Sequence, residues 1–176
     1  MDYTFYGEYT DAETYFSNRL HATAWEYATR SEREKALIEA TQIVDSLNYK
    51  GWKGTVYDIL FDDNGKPVTP PPSSEELKAA YDAQVREFPR NTDTTVPDNI
   101  LMAVWEITYQ LLDGVDVDLE LENLDVTSQG IASVRTTYDR RHVSIEHLYN
   151  GVPSLKAWRF LYPYLRDVKH IKISRV

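Results

Sequence analysis

The chain contains no cysteine, which removes disulfide staples, zinc ribbons and thiol nucleophiles together. Histidine is scarce as well. His21, His142, His147 and His170 stand at no metal-ligand spacing, and Glu146-His147 lacks the pair of histidines four apart that would put two imidazoles on one helix face. Basic residues are outnumbered, 19 against 28 acids, for a formal net charge of -9. A surface of that balance repels phosphate backbones rather than attracting them. No apolar run approaches the ~20 residues needed to cross a bilayer. The opening Met1-Asp2-Tyr3-Thr4-Phe5-Tyr6 lacks the basic start and apolar stretch of a secretory signal. The expectation is a soluble protein, made in a cytoplasm and without a membrane partner.

Signatures of catalysis are missing too. No nucleophile elbow, dinucleotide loop or phosphate loop occurs, and Gly65-Lys66 runs into Pro67 without a glycine cradle upstream. Asp62-Asp63-Asn64-Gly65 has the look of a calcium loop, but Leu60 occupies the first ligand position and Pro71 the place of the bidentate glutamate. It reads as a turn bearing solvated acids. No enzyme activity, cofactor or metal is expected.

What is present suits one compact unit. Hydrophobic residues make up 42% of a 176-residue chain, and a chain of this size buries roughly two thirds of its unfolded surface around a single core. Aromatics are plentiful, with 13 Tyr, 4 Trp and 5 Phe. Such rings serve cores and protein–protein contacts alike. Trp25, Trp52, Trp105 and Trp158 read most simply as core residues.

Periodicity predicts several helices. Thr10 with Glu13 forms a capping-box pattern ahead of Ala12, Tyr15 and Phe16, which places a helix from Asp11 to about Arg19; a short helical turn over His21 to Thr29 carries Trp25. Ser31 with Glu34 repeats the pattern. Behind it Ala36, Leu37, Ala40, Ile43, Val44 and Leu47 recur at spacings of three and four. Ser73 and Ser74 precede a thinly apolar surface helix that runs to about Glu87. Pro97 opens a second core helix with Ile100, Leu101, Val104, Ile107, Leu111 and Leu112 on one face and Gly114 as its stop. Pro153 and Ser154 open a last short helix containing Trp158.

Strands are expected in three places. Thr55 to Phe61 is followed by the Asn64-Gly65 hairpin signal. Val115, Val117, Leu119 and Leu121 alternate with Asp116, Asp118, Glu120 and Glu122, as a half-buried strand with an acidic outer face would. A further strand follows from Ile131 to Tyr138. The fold class expected is mainly α: a small helical bundle with a β-hairpin and an extended C-terminal tail.

Several of these segments, in this order, resemble the head-to-tail connector adaptors of tailed bacteriophages and gene-transfer agents, a family often labelled DnaT-like. The residues concerned are Tyr15, Phe16 and Trp25; the run Ala36-Leu37 through Ala40-Thr41 to Val44-Asp45; and the turn Trp52-Lys53-Gly54. Phe88-Pro89-Arg90 comes next, then Val96-Pro97 through Ile100, Ala103 and Glu106, then Val126 to Ile131 leading to Thr137-Tyr138. The resemblance covers residues 10 to 165. It departs at Thr55 to Glu87, which is longer than the usual link, and at Gln129, which stands where an acid is more usual.

The resemblance implies a structural virion protein made of one adaptor domain over 1–166, with an insertion at 55–87 and a docking tail over 167–176. Its partners would be the phage portal protein, a tail or stopper protein, and copies of itself in a closed ring of about twelve. The ring would sit in the neck between portal and tail and extend the DNA channel, with DNA only as passing cargo. Val168, Lys169, Ile171, Lys172, Ile173 and Arg175 would form the portal-docking interface, their apolar and basic residues interleaved so as to add a strand or fill a groove. Asp116, Asp118, Glu120 and Glu122 would face the channel. The alternative, a single-stranded nucleic-acid binding module, needs a basic groove lined with aromatics.

Overall fold

The structure, a computed structural model, describes residues 4–125, 128–131, 134–137 and 145–166. It is mainly helical. The helices are α1 (Tyr9–Ser17), α2 (Thr23–Tyr27), α3 (Arg30–Asp45), α4 (Gly54–Leu60), α5 (Ser74–Ala83), α6 (Asp98–Leu112), α7 (Val117–Asp125), α8 (Glu146–Tyr149) and α9 (Leu155–Leu161), the last followed by a 3-10 turn at Tyr162–Tyr164. Two short strands, β1 (Ser128–Ile131) and β2 (Val134–Thr137), pair antiparallel with Ser128 opposite Thr137 and Ile131 opposite Val134.

Helix α6 is the axis of the core. It packs against α3 on one side and α9 on another, with α2 also in contact. A helix enclosed in this way must be apolar on more than one stripe, and Ile100, Ala103, Val104 and Ile107 are all fully buried. From α3, Leu37, Ala40 and Val44 meet it; from α9, Ala157, Trp158 and Leu161. Phe16 of α1 stacks on Trp25 with ring centroids 4.3 Å apart, and on Tyr109 of α6 at 6.3 Å. Helix α6 ends in a Schellman motif. Gly114, at φ +80°, lets its N–H reach the Leu111 carbonyl while the Val115 N–H reaches Gln110.

The expected caps shift by a residue or two. Helix α3 is capped by Thr29, which exchanges both bonds of a capping box with Glu32. Ser31 therefore lies inside the helix, and Glu34 pairs instead with Arg30 one turn back, at 2.9 Å. Helix α1 begins at Tyr9, not Asp11, with Glu8 at the cap. Helix α5 has the expected Ser73 cap paired with Glu76 but stops at Ala83 instead of Glu87. There Gln84 turns extended, and its amide donates to the carbonyls of Arg86 and Pro89.

Two expected strands are helices. Residues 55–61 carry branched and aromatic side chains at a strand-like density, yet Gly54–Leu60 is α4. Its first turn is met by tertiary partners: the Gln84 side chain accepts from the Thr55 N–H, and the Thr55 hydroxyl donates to the Ala80 carbonyl of α5. Tyr57 and Phe61 then stack at a helical spacing, 4.7 Å between centroids. Context has overridden propensity. The turn after α4 does form, with Asp62 accepting the N–H groups of Asn64 and Lys66 on its carboxylate.

The acidic segment from Val115 to Glu122 is likewise helical, as the opening of α7. Asp116 decides it, because its carboxylate accepts the N–H groups of Asp118 and Leu119 and thereby caps the helix. Leucine and glutamate are strong helix formers, so the alternation in hydropathy no longer selects a strand. Of the expected strand from Ile131 to Tyr138, Ile131 closes β1 and Val134–Thr137 forms β2, while Ala132, Ser133 and Tyr138 lie outside the described residues.

Candidate interaction site

Three stretches of irregular chain meet beside the end of α3. Tyr49 pairs with Leu165 and Lys53 with Arg90 as antiparallel bridges. The Lys50 N–H donates to the Tyr164 carbonyl at 2.9 Å and the Arg166 N–H to Asn48 at 2.9 Å. On the other side the Gly54 N–H reaches Pro89 and the Asn91 N–H reaches Trp52. Residues 48–54 are therefore held from both flanks.

Gly51 is required in this seam. It sits at φ +73°, and a β-carbon there would lie 2.1 Å from the Asn91 side-chain oxygen, which accepts the Trp52 N–H at 2.9 Å.

Charge is buried here without being orphaned. Lys53 is only 5% exposed; its ammonium donates to the Gln84 carbonyl at 2.9 Å, lies 3.4 Å from Glu87 and stands 3.8 Å over the Tyr81 ring. Arg90 donates to the carbonyls of Lys50 and Gly51 and to the other Glu87 oxygen at 2.5 Å. One glutamate thus neutralises two buried cations. Asp45 does similar service, accepting from Arg86 at 2.9 Å, from the Glu87 N–H, and from the Tyr6 hydroxyl. Burial, with Asp45 next to it, pushes the Tyr6 phenol far above its ordinary value.

Over this seam lies a groove of about 620 Å³, walled by Trp52, Val56, Leu77 and Tyr81 and edged by Lys78 and Arg166. Trp52 is 49% and Tyr81 52% exposed, so two rings face solvent where the sequence placed Trp52 in the core. The other three tryptophans are buried. Lys53, Lys78, Arg90 and Arg166 line the groove against the carboxylates of Asp45 and Glu87. Cations outnumber acids along this groove, although the chain as a whole is acidic.

A second cleft, about 790 Å³, opens over α1 and α6. Behind it Glu106, 1% exposed, receives Arg19 through two bonds of 3.0 and 3.1 Å, Lys156 at 2.7 Å and the Tyr15 hydroxyl at 2.5 Å. Burial pushes the Glu106 carboxyl up, but the hydrogen bonds from Arg19, Lys156 and Tyr15 outweigh it and hold it below the ordinary glutamate value. The same burial and the bond to Glu106 raise the Tyr15 phenol. With these four bonds filled, the carboxylate serves to tie α1, α6 and α9 together.

Of the residues singled out in the sequence, Val168, Lys169, Ile171, Lys172, Ile173 and Arg175 lie outside the described residues, as do His142 and His170. Asp116, Asp118, Glu120 and Glu122 are all exposed, but on a helix they divide into two pairs four residues apart, so they do not form one acidic sheet face. His21 adopts φ +58°, and His147 is half-buried, which lowers its pKa through desolvation. Among the described residues no group of three or more His, Asp or Glu could hold a metal ion, and no helix is long and apolar enough to cross a membrane.

Lys53, Glu87 and Arg90 had no local signal as a charge cluster. Lys53 and Arg90 appear in the sequence only as parts of two motifs 37 positions apart, and it is folding that brings them to one carboxylate. No family model, characterised protein or solved structure matches the chain.

Proposed function

We propose that the chain is a structural virion protein, a head-to-tail adaptor that docks on the portal as a ring and extends the DNA channel towards the tail. One observation supports this reading: the resembling segments from Tyr15 to Glu106 pack on each other. Helix α3 lies on α6, and the Trp52-Lys53-Gly54 turn is bridged to Phe88-Pro89-Arg90. The long departure between them forms α4 packed on α5, with no residue of α5 buried, and rejoins the core at Gln84 to Glu87.

The docking tail fits the same reading. The last described residue, Arg166, leaves the fold on the rim of the groove, tied to Asn48. Segment 167–176, with its interleaved apolar and basic residues, would extend from there to the portal. In the neck of the particle DNA would pass a protein of net charge -9, which repels the backbone and prevents sticking.

The test is to mix the purified protein with the portal protein encoded beside it, to measure particle mass, and to image the complex by electron microscopy. A version ending at Arg166 serves as the control. Ring density on the portal, lost on truncation, supports both the adaptor role and the docking tail. A bare portal with the full-length chain overturns the reading.

A further inference from the structure

The groove beside Trp52 and Tyr81 has rim cations with no carboxylate at ion-pair distance among the described residues. Lys53 and Arg90 are taken up by Glu87, but neither Lys78 nor Arg166 pairs with a carboxylate among the described residues. Between these cations the walls are aromatic and half exposed. Such a groove suits an occupant that is apolar at its centre and acidic at its edges.

The chain carries a surface of that description elsewhere. Helix α7 packs on α8, neither of which lines the groove, and presents Leu119 at 54% exposure. Three and four residues apart on a helix are neighbours, so Leu119 is flanked by Asp116 on one side and Glu122 on the other, with Glu120 beside Asp116. Asp116 is occupied in capping the helix. Glu120 and Glu122 are exposed, and neither has a basic partner among the described residues.

We propose that α7 of one copy seats in the groove of the next, with Leu119 against the Trp52 and Tyr81 rings and Glu120 and Glu122 facing Lys78 and Arg166. The two patches share no residue, so a contact of one copy's α7 with the groove of the next can run head-to-tail and propagate; a rotation that closes gives a ring. The inference rests on the adaptor reading for its closure and adds to it the surfaces that join the copies.

The absence of native cysteine makes the test direct. A chain bearing Asn48→Cys, at an exposed groove-lining position, is mixed with one bearing Leu119→Cys and oxidised, with and without the portal protein. The mixed adduct is expected to exceed both symmetric adducts several-fold and to fall at high salt, and a chain carrying both substitutions is expected to give a ladder of multimers. Reversing the groove with Lys78→Glu and Arg166→Glu should abolish the mixed adduct, and pairing that chain with Glu120→Lys and Glu122→Lys should restore it. All these positions are exposed, and circular dichroism checks that each variant is folded.

Symmetric adducts that match the mixed one, a yield no higher than with a Glu39→Cys control, or indifference to charge reversal would overturn the assignment. Rings on the portal without the mixed adduct would sink the α7 contact and leave the adaptor reading standing. A charge-dependent mixed adduct with a bare portal would do the opposite.

Discussion

Glu106 on α6 and Arg19 just past α1, 87 residues apart in sequence, meet through two parallel hydrogen bonds in the interior. The pair fixes how α1 lies on α6, and Lys156 adds the third helix, α9, to the same carboxylate. Removing the carboxylate leaves a mostly buried guanidinium uncompensated. Glu106→Ala is therefore expected to lower unfolding free energy by about 3–5 kcal/mol, seen as a fall in the urea midpoint at unchanged slope. Lys156→Ala, whose ammonium is half exposed, should cost far less.

The same carboxylate gives stability a pH dependence. Its folded pKa lies below its ordinary value of 4.5, so the unfolded chain takes up the proton first and the stabilisation is complete only above that value. As pH falls from about 4.5 through the folded pKa, the contribution is lost. His147 acts in the same sense at higher pH, because burial lowers its pKa from 6.5 and protonation below that favours the unfolded chain. Urea midpoints measured from pH 7 to pH 3 should fall in two stages, and Glu106→Gln should shrink the lower stage while leaving the upper one in place; Glu32 and Glu76, whose carboxyls are also held low by their caps, keep part of it.

Where local pattern and tertiary contact agreed, the sequence could be read directly. Leu37, Ala40 and Val44 on α3 and Ile100, Val104 and Ile107 on α6 fall at helical spacing and are all fully buried, and Gly114 ends α6 as glycine at that position should. The acidic alternation misled because period two in hydropathy is compatible with a helix whose cap, Asp116, lies inside the pattern. Residues 54–60 misled because their helical turn is held by Gln84 and Ala80, far along the chain. The groove was legible only in part: its turn and its Phe-Pro-Arg element stood out as motifs, but nothing local marks Trp52 as exposed or Glu87 as the shared partner of two cations.

The cap of α3 offers a sharp discrimination. Thr29 holds the Glu32 N–H and Glu32 returns the bond, whereas Ser31 is an exposed residue within the first turn. Thr29→Ala should cost about 1 kcal/mol. Ser31→Ala should leave the thermal midpoint where it is or raise it slightly, since alanine is the better helix former. The opposite ranking would place the cap where the sequence pattern first suggested it.

Gly51→Ala tests the seam. A residue with a β-carbon at φ +73° carries a left-handed penalty of about 1–2 kcal/mol, and the Asn91 side chain must also move, releasing the Trp52 N–H it accepts. The variant should be destabilised by more than the left-handed penalty alone. Asn91→Ala in the Gly51→Ala background should cost less than Asn91→Ala in the native chain, because the hydrogen bond is already lost; that non-additivity is read from a double-mutant cycle.

Glu87 carries the last and most specific expectation. It lies at the end of the segment that reads as an insertion, yet it neutralises Lys53 and Arg90, which belong to the two bridged motifs. The insertion is therefore not separable from the core at this end. Glu87→Gln keeps the shape but leaves two buried cations facing each other, and a loss of about 3–5 kcal/mol is expected. Lys53→Met alone removes one cation while its stem still fills the space, so its cost should be smaller. In the double variant a single cation, Arg90, remains, held by the Lys50 and Gly51 carbonyls. It should be more stable than Glu87→Gln alone, with a coupling of about 0.5–3 kcal/mol. Strict additivity would mean that Glu87 and Lys53 act independently, as surface residues do.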